Sequence, residues 1–278
     1  DGFPREITEE LVADAGMRID EDGWQRAEEA HQAASRSKTA QVFEASELLD
    51  AKGRLGATAF VGYDQLAADA QLTMLEVDGR AIEQVAAGQS LRFTLDRTPF
   101  YAESGGQVGD RGRVEAADGS FSIVVDDVQK DGGLWIHSGR VVDGAATPAP
   151  VRATVDAATR SATTQHHSAT HLLHSALCRA LGDHVEQQGS KVEPDCLRFD
   201  FNNDQAVDDE RLAEVEAWVA EQIGADHPVR IEECGIDEAR QRGAKALFGE
   251  KYGDRVRVVE MGGPAVSIEL CGGCHVAR

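Results

Sequence analysis

Phe121-Ser-Ile-Val-Val125 and Leu134-Trp-Ile-His137 are apolar, β-branched and aromatic runs of strand length, and Asp131-Gly-Gly133 supplies turn chemistry just before the second. Working outward, Leu91-Arg-Phe-Thr-Leu95 and Leu72-Thr-Met-Leu-Glu-Val77 have the same character. Asp78-Gly79, Asp118-Gly119 and Asp143-Gly144 are read as further turns. Short strands at this spacing predict a small β-barrel or sandwich over 58–157. Ala145-Ala-Thr-Pro-Ala-Pro150 reads as a surface connector.

The flanks are different. Residues 1–57 read as helical: Thr8 to Gly16 has a capping hydroxyl, early acids and a terminal glycine, and Asp22 to about Lys38 is rich in Ala, Glu and Arg. Beyond the strands, Ala169–Leu181 is expected to be helical, and Asp195–Phe201 is a strand with Leu197, Phe199 and Phe201 on one face. Asp208–Ile223 is an acidic amphipathic helix, and Val229-Arg-Ile-Glu232 and Arg255-Val-Arg-Val-Val259 read as strands. The fold class expected is α+β, with a helical segment (1–57), a β-barrel subdomain (58–157) and an α/β unit (158–278).

Composition bounds the function. The 278 residues suggest about two domains. A net charge of −21, from 28 basic and 49 acidic residues, argues against wrapping DNA. No apolar run approaches the roughly 18 residues of a membrane span. The five cysteines are odd in number and sparse, and no signal peptide is visible at Asp1, so a cytoplasmic, reducing setting is expected. An opening residue other than Met is compatible with a fragment.

Two clusters carry chemistry. In Gln165-His-His-Ser-Ala-Thr-His-Leu-Leu-His174, His167 and His171 are one helical turn apart, a common way to offer two imidazoles to one metal ion. His174 points roughly the same way and His166 is rotated off the face. In Glu269-Leu-Cys-Gly-Gly-Cys-His-Val276, Cys271 and His275 are four apart across two glycines. His167, His171, Cys271 and His275 together make a tetrahedral zinc set of one thiolate and three imidazoles. The second cluster also spells C-x-x-C-H, open to reading as a haem attachment site, a thioredoxin-like pair or a buried cysteine pair in a turn.

Two further stretches stand out. Arg97 to Gly112 carries Ser104-Gly-Gly-Gln-Val-Gly109 among charges and can approach a phosphate or wall a pocket. Glu238–Val258 holds six basic against three acidic residues, with Phe248 and Tyr252 interleaved, which is the pattern of a nucleic-acid contact or of a solvated face.

Taken together, these residues resemble the editing region of the alanyl-tRNA synthetase family. The resemblance covers essentially the whole chain. It is carried by Gly2-Phe-Pro-Arg-Glu-Ile-Thr8, Arg97-Thr-Pro-Phe-Tyr-Ala-Glu-Ser-Gly-Gly-Gln107, the paired His167/His171 and Cys271/His275, Leu197-Arg-Phe-Asp-Phe201 and Ala246-Leu-Phe-Gly-Glu-Lys-Tyr-Gly-Asp254. It implies one zinc ion on the four ligands and hydrolysis of mischarged Ser-tRNA(Ala) and Gly-tRNA(Ala) at the 3′-terminal ester. It also implies a pocket amide at Gln187 and an RNA-facing segment containing Lys245 and Lys251. The partner implied is the 3′ end of tRNA(Ala). ATP and Mg2+ would serve only the full-length enzyme, whose aminoacylation and C-terminal domains this chain lacks. Two departures are expected to matter. Cys274 stands where the family usually has Thr, and the chain stops before strands that normally close the editing fold. The rival reading is a structural zinc module that positions tRNA without catalysis.

Overall fold

A computed structural model describes residues 46–245 and 253–278, together with Met17, Asp20, Gly23 and Trp24. The expected N-terminal helices fall outside the described residues except for Gly23 and Trp24, which are helical.

Two short helices, α1 (Glu47–Asp50) and α2 (Lys52–Leu55), precede the strands. These are β1 (Ala59–Phe60), β2 (Ala67–Val77), β3 (Arg80–Ile82), β4 (Val85–Ala86), β5 (Ser90–Leu95), β6 (Arg97–Thr98), β7 (Gly112–Ala116), β8 (Phe121–Asp131), β9 (Leu134–Ala146) and β10 (Pro150–Val155). Neighbours run β10-β7-β8-β9-β5-β2, and β10 also pairs with β2 through Pro150↔Gln71 to Thr154↔Ala67. That last pairing closes the sheet, so a barrel forms rather than a sandwich. Closure leaves one face of each strand inside: Val151, Ala153 and Val155 alternate inward on β10. Leu72, Phe93, Phe121, Ile123 and Val141 fill the interior. His137 lies there too, fully buried, with Nε2 2.8 Å from Thr98 Oγ1 and its ring stacked on Phe93.

The β2–β3 turn uses Asp78 and Gly79, both at positive φ (49° and 78°), the primed geometry that suits strand twist. Asp143-Gly144 is not a turn. It lies inside β9, where the register against β8 shifts and Gly144 takes φ 69°. A Cβ there would collide with the Ser120 carbonyl. Nor is 145–150 wholly a surface connector, because Ala146 is fully buried in β9 and Pro150 opens β10.

The second half begins with α3 (Ala157–Leu181), capped by Asp156, whose Oδ1 accepts the Thr159 N–H at 2.9 Å. The helix thus starts well before the expected Ala169, since Ser and Thr in its first turns dilute the apolar signal. The remaining elements are β11 (Gln187–Val192), β12 (Leu197–Phe201), α4 (Asp209–Gly224), β13 (Val229–Gly235), α5 (Ile236–Gln241), β14 (Arg255–Met261) and β15 (Ser267–Leu270). The last three strands form one antiparallel sheet. α3 packs Leu177 against Val215 of α4 and Leu172 against Val259 and Met261 of β14. Among the described residues no helix is long and apolar enough to cross a membrane.

Two sets of contacts tie the barrel to α3 and β11. Arg160 on α3 is buried and forms a two-pronged ion pair with Asp110, while also donating to the carbonyls of Gly62 (2.6 Å) and Pro99 (3.0 Å). The glycine-rich loop lies against β11, with Val192 N donating to Gly106 O at 2.8 Å and Val108 N to Val192 O at 3.1 Å.

Candidate metal centre

α3 presents His167 and His171 from one face, and the turn after β15 brings Cys271 and His275 to meet them. One ligand atom from each of the four lies within 4.8 Å of the others. Cys271 Sγ is 3.4 Å from His167 Nε2 and 3.3 Å from His275 Nε2. The turn is held from several sides. Arg257 Nη1 donates to the carbonyls of Cys271 and Gly273, both at 2.8 Å, and Tyr63 Oη–H donates to Gly272 O at 2.7 Å. The Arg257 guanidinium also lies over the Tyr63 ring, 4.3 Å from its centre. Gly273 must be glycine, because a Cβ would fall on the His167 ring.

Around the four lies an outer layer of partners. Gln107 Oε1 is 2.7 Å from His167 Nδ1, and Ser168 Oγ is 3.2 Å from His275 Nδ1. The buried Glu269 carboxylate spans His171 Nδ1 at 3.4 Å and His174 Nδ1 at 3.0 Å. His167 and His275 therefore turn Nε2 inward and Nδ1 toward an outer partner, the arrangement metal-binding imidazoles use.

Electrostatics favour the ligating form of the thiol. Burial alone would push Cys271 up, but the charge of His171 and hydrogen bonds from His167, His171 and His275 outweigh it and hold the thiol well below its ordinary range. Burial holds His275 down to about 3, so it stays neutral. For His171 burial is again the largest influence, yet Glu269 and Cys271 overcome it and raise the ring to about 9. A thiol held toward its thiolate, the neutral His275 ring and two further imidazoles fit a zinc-like ion.

Comparison with known proteins places the chain in a family. Residues 1–159 match the family described as tRNA synthetases class II (A). The chain belongs to the class II (A) tRNA synthetases. Over its whole length it is also similar to alanine–tRNA ligases. It is 44% identical to that of Saccharophagus degradans over 278 residues, all of this chain and 31% of the relative. It is 46% identical to that of Pelotomaculum thermopropionicum over 281 residues, 99% of this chain and 32% of the relative. For the Herpetosiphon aurantiacus enzyme the identity is 44% over 294 residues, with 33% of the relative covered. The chain thus spans about a third of the length of these relatives.

The family match ends at residue 159, just ahead of the histidines, so the centre lies beyond it, in the stretch where the alanine–tRNA ligases still align. Beside it this synthetase chain has a cavity of about 500 Å3, lined in part by Tyr63, Arg160, Thr164, Arg257, Cys274 and His275. Cys274 is outside the four-donor set: it is buried, with its N–H bonded to Gln107 Oε1 at 2.9 Å, and it lines that cavity.

Other expected residues are dispersed. His166 faces away and binds Glu193 O at 2.7 Å, and His174 pairs with Glu269. Gln187 sits on β11 with its amide donating to Ser190 Oγ at 3.0 Å. Lys245 Nζ lies 3.1 Å from Cys178 Sγ, and Lys251 falls outside the described residues. Part of the basic stretch is spent internally, since Arg242 pairs with Glu232 and Glu260 and Arg257 holds the turn. Sequence reasoning missed Gln107, Ser168, Glu269 and the Arg160–Asp110 pair. Gln107 and Glu269 lie within the glycine-rich and Cys271–His275 stretches, but only the glycines, cysteines and histidines there carry a recognisable spacing.

Proposed function

We propose that this chain is the editing part of an alanine–tRNA ligase, hydrolysing the ester that joins a wrong serine or glycine to the terminal adenosine of tRNA(Ala). One observation carries the reading. A set of one thiol and three imidazoles, with His167 and His171 buried and Cys271 and His275 half-buried, borders a cavity of about 500 Å3 through His275. The need for such a step is chemical: an alanine-sized pocket cannot strongly reject the smaller glycine or an analogue that merely adds a hydroxyl, so a second sieve is required.

In this reading His167, His171, Cys271 and His275 hold one zinc ion. When bound, the ion supplies a Lewis-acidic positive charge beside the cavity. Arg257 and Tyr63 keep the Cys271–His275 turn rigid, and Cys274 shapes the cavity wall. Gln187 supplies an amide that can both donate to and accept from a serine hydroxyl. Residues 158–278 form the editing unit, 58–157 the barrel subdomain and 1–57 the end of a helical tRNA-recognition domain. Lys245 and Lys251 meet the RNA backbone, with the acidic α4 turned away. Charging tRNA with alanine, with ATP and Mg2+, belongs to parts of the longer relatives outside this chain, and the setting is cytoplasmic.

A second reading, a structural zinc module that only positions tRNA, draws on the four protein ligands, which saturate a tetrahedral ion. Deacylation of seryl-tRNA(Ala), measured with and without a chelator, separates the two. Editing predicts hydrolysis that chelation abolishes and zinc restores. Tight tRNA binding without hydrolysis would favour the structural module.

A further inference from the structure

Gln107 comes from the glycine-rich loop between β6 and β7, on the barrel side of the molecule, yet its side chain is completely buried beside the centre. The loop is fixed at both of its neighbours, through Gly106 O and Val108 N to Val192 of β11. Its amide meets two groups at once, the Cys274 backbone N–H at 2.9 Å and His167 Nδ1 at 2.7 Å.

These two contacts settle a proton position. A backbone N–H only donates, so the amide atom facing Cys274 must be the carbonyl oxygen, and flipping the amide would set donor against donor. The same oxygen faces His167 Nδ1, and a carbonyl only accepts, so Nδ1 carries the hydrogen. The other ring nitrogen, Nε2, faces Cys271 Sγ and is the one left to ligate a metal. The remaining outer partners do not impose this logic. Ser168 Oγ can donate or accept opposite His275, and Glu269 is shared between His171 and His174.

We propose that Gln107 is a positioning residue of the metal centre, locking His167 as its Nδ1–H tautomer with Nε2 free to ligate. The barrel loop is therefore a component of the site and not merely its neighbour. The inference rests on reading the four-donor cluster as a metal centre. A second feature points the same way. Gln107 Nε2 is buried with no hydrogen-bond partner among the described residues, a cost that a residue serving packing alone would avoid.

The test uses the 278-residue chain with Gln107→Met, which keeps length and removes the acceptor, and Gln107→Glu, which keeps the acceptor. Zinc affinity is read by competition with a chromophoric chelator, and the imidazole tautomers of the metal-free protein by long-range 1H–15N spectra. Loss of an outer-layer partner of a ligand typically costs 10–100-fold in metal affinity, so Gln107→Met should bind zinc about that much more weakly. Gln107→Glu should stay close to the parent, and the parent spectrum should show His167 protonated on Nδ1. His137→Gln, in the barrel interior, controls for general destabilisation and should lower thermal stability without moving zinc affinity. Equal zinc affinity in Gln107→Met and parent would overturn the proposal, as would a parent His167 protonated on Nε2 and bare on Nδ1. If the parent bound no zinc the metal reading itself would fail, and the tautomer spectrum would still judge what Gln107 does to His167.

Discussion

Within the barrel, Leu72, Phe93, Phe121 and Ile123 are buried against one another, whereas the buried face of α3 carries Arg160, His167, Ser168, His171 and His174. The first kind of burial is non-directional and grows with area, so neighbours can partly compensate for a loss. The second kind stabilises only while each polar group keeps its partner, because a buried unpaired charge or donor costs more than the pairing contributes. The barrel should therefore be indifferent to metal, and the centre should depend on it.

Crossing two substitutions breaks or sharpens that contrast most strongly. Cys271→Ala removes the sole thiolate of the set, and should abolish both zinc binding and deacylation while leaving the barrel's near-ultraviolet signature in place. Phe93→Ala, in the barrel interior, should cost about 3–5 kcal/mol of stability yet leave zinc content at one equivalent. Elemental analysis with thermal melts checks both, and a barrel variant that lost its zinc would erase the distinction between the regions.

A smaller effect belongs to Gln187, whose amide is engaged with Ser190. Its replacement by Ala should slow seryl-tRNA hydrolysis by roughly tenfold, about 1.4 kcal/mol in the transition state, without changing zinc content. An unchanged rate would remove it from the site.

Acid distinguishes the regions again through His137. Burial pushes its ring down to about 4 from an ordinary 6.5. The unfolded chain then binds more protons than the folded one between those values. The His137 contribution is therefore complete above about pH 6.5 and is lost as pH falls toward 4, by at most about 1.4 kcal/mol per pH unit. Denaturant melts of zinc-free protein should show this slope, and His137→Gln should flatten it. If the variant kept the same slope, the acid sensitivity would come from elsewhere.

The smallest change is expected at the proposed RNA-facing segment. Removing one cation that neutralises a phosphate lowers the salt slope of binding by roughly 0.7–0.9. Lys245→Glu should weaken tRNA binding and flatten its salt dependence, while Glu214→Lys on α4 should do little. Filter binding across salt concentrations reads both, and an unaltered slope in the lysine variant would leave residue 245 out of the interface.

How far the sequence could be read follows the same division. Strand runs such as Phe121–Val125 and the Asp78-Gly79 turn announce themselves, because continuous apolar, β-branched runs and positive φ leave local marks. Asp143-Gly144 misled because a bulge and a turn make the same demand on glycine. In the centre, spacing alone paired His167 with His171 and Cys271 with His275. Their outer partners left no such mark, since Gln107 is 60 residues from His167 and Glu269 is 95 from His174. Arg160 and Asp110, 50 apart, were silent for that reason too.

The central claim is that one ion sits on three imidazoles and one thiolate, with Cys274 excluded although it is next to His275. Zinc-edge X-ray absorption of the purified protein tests it most directly. The account predicts one sulfur at about 2.3 Å and three nitrogens at about 2.0–2.1 Å, lost in Cys271→Ala and unchanged in Cys274→Thr. A first shell with two sulfurs, or one that survives Cys271→Ala, would contradict it.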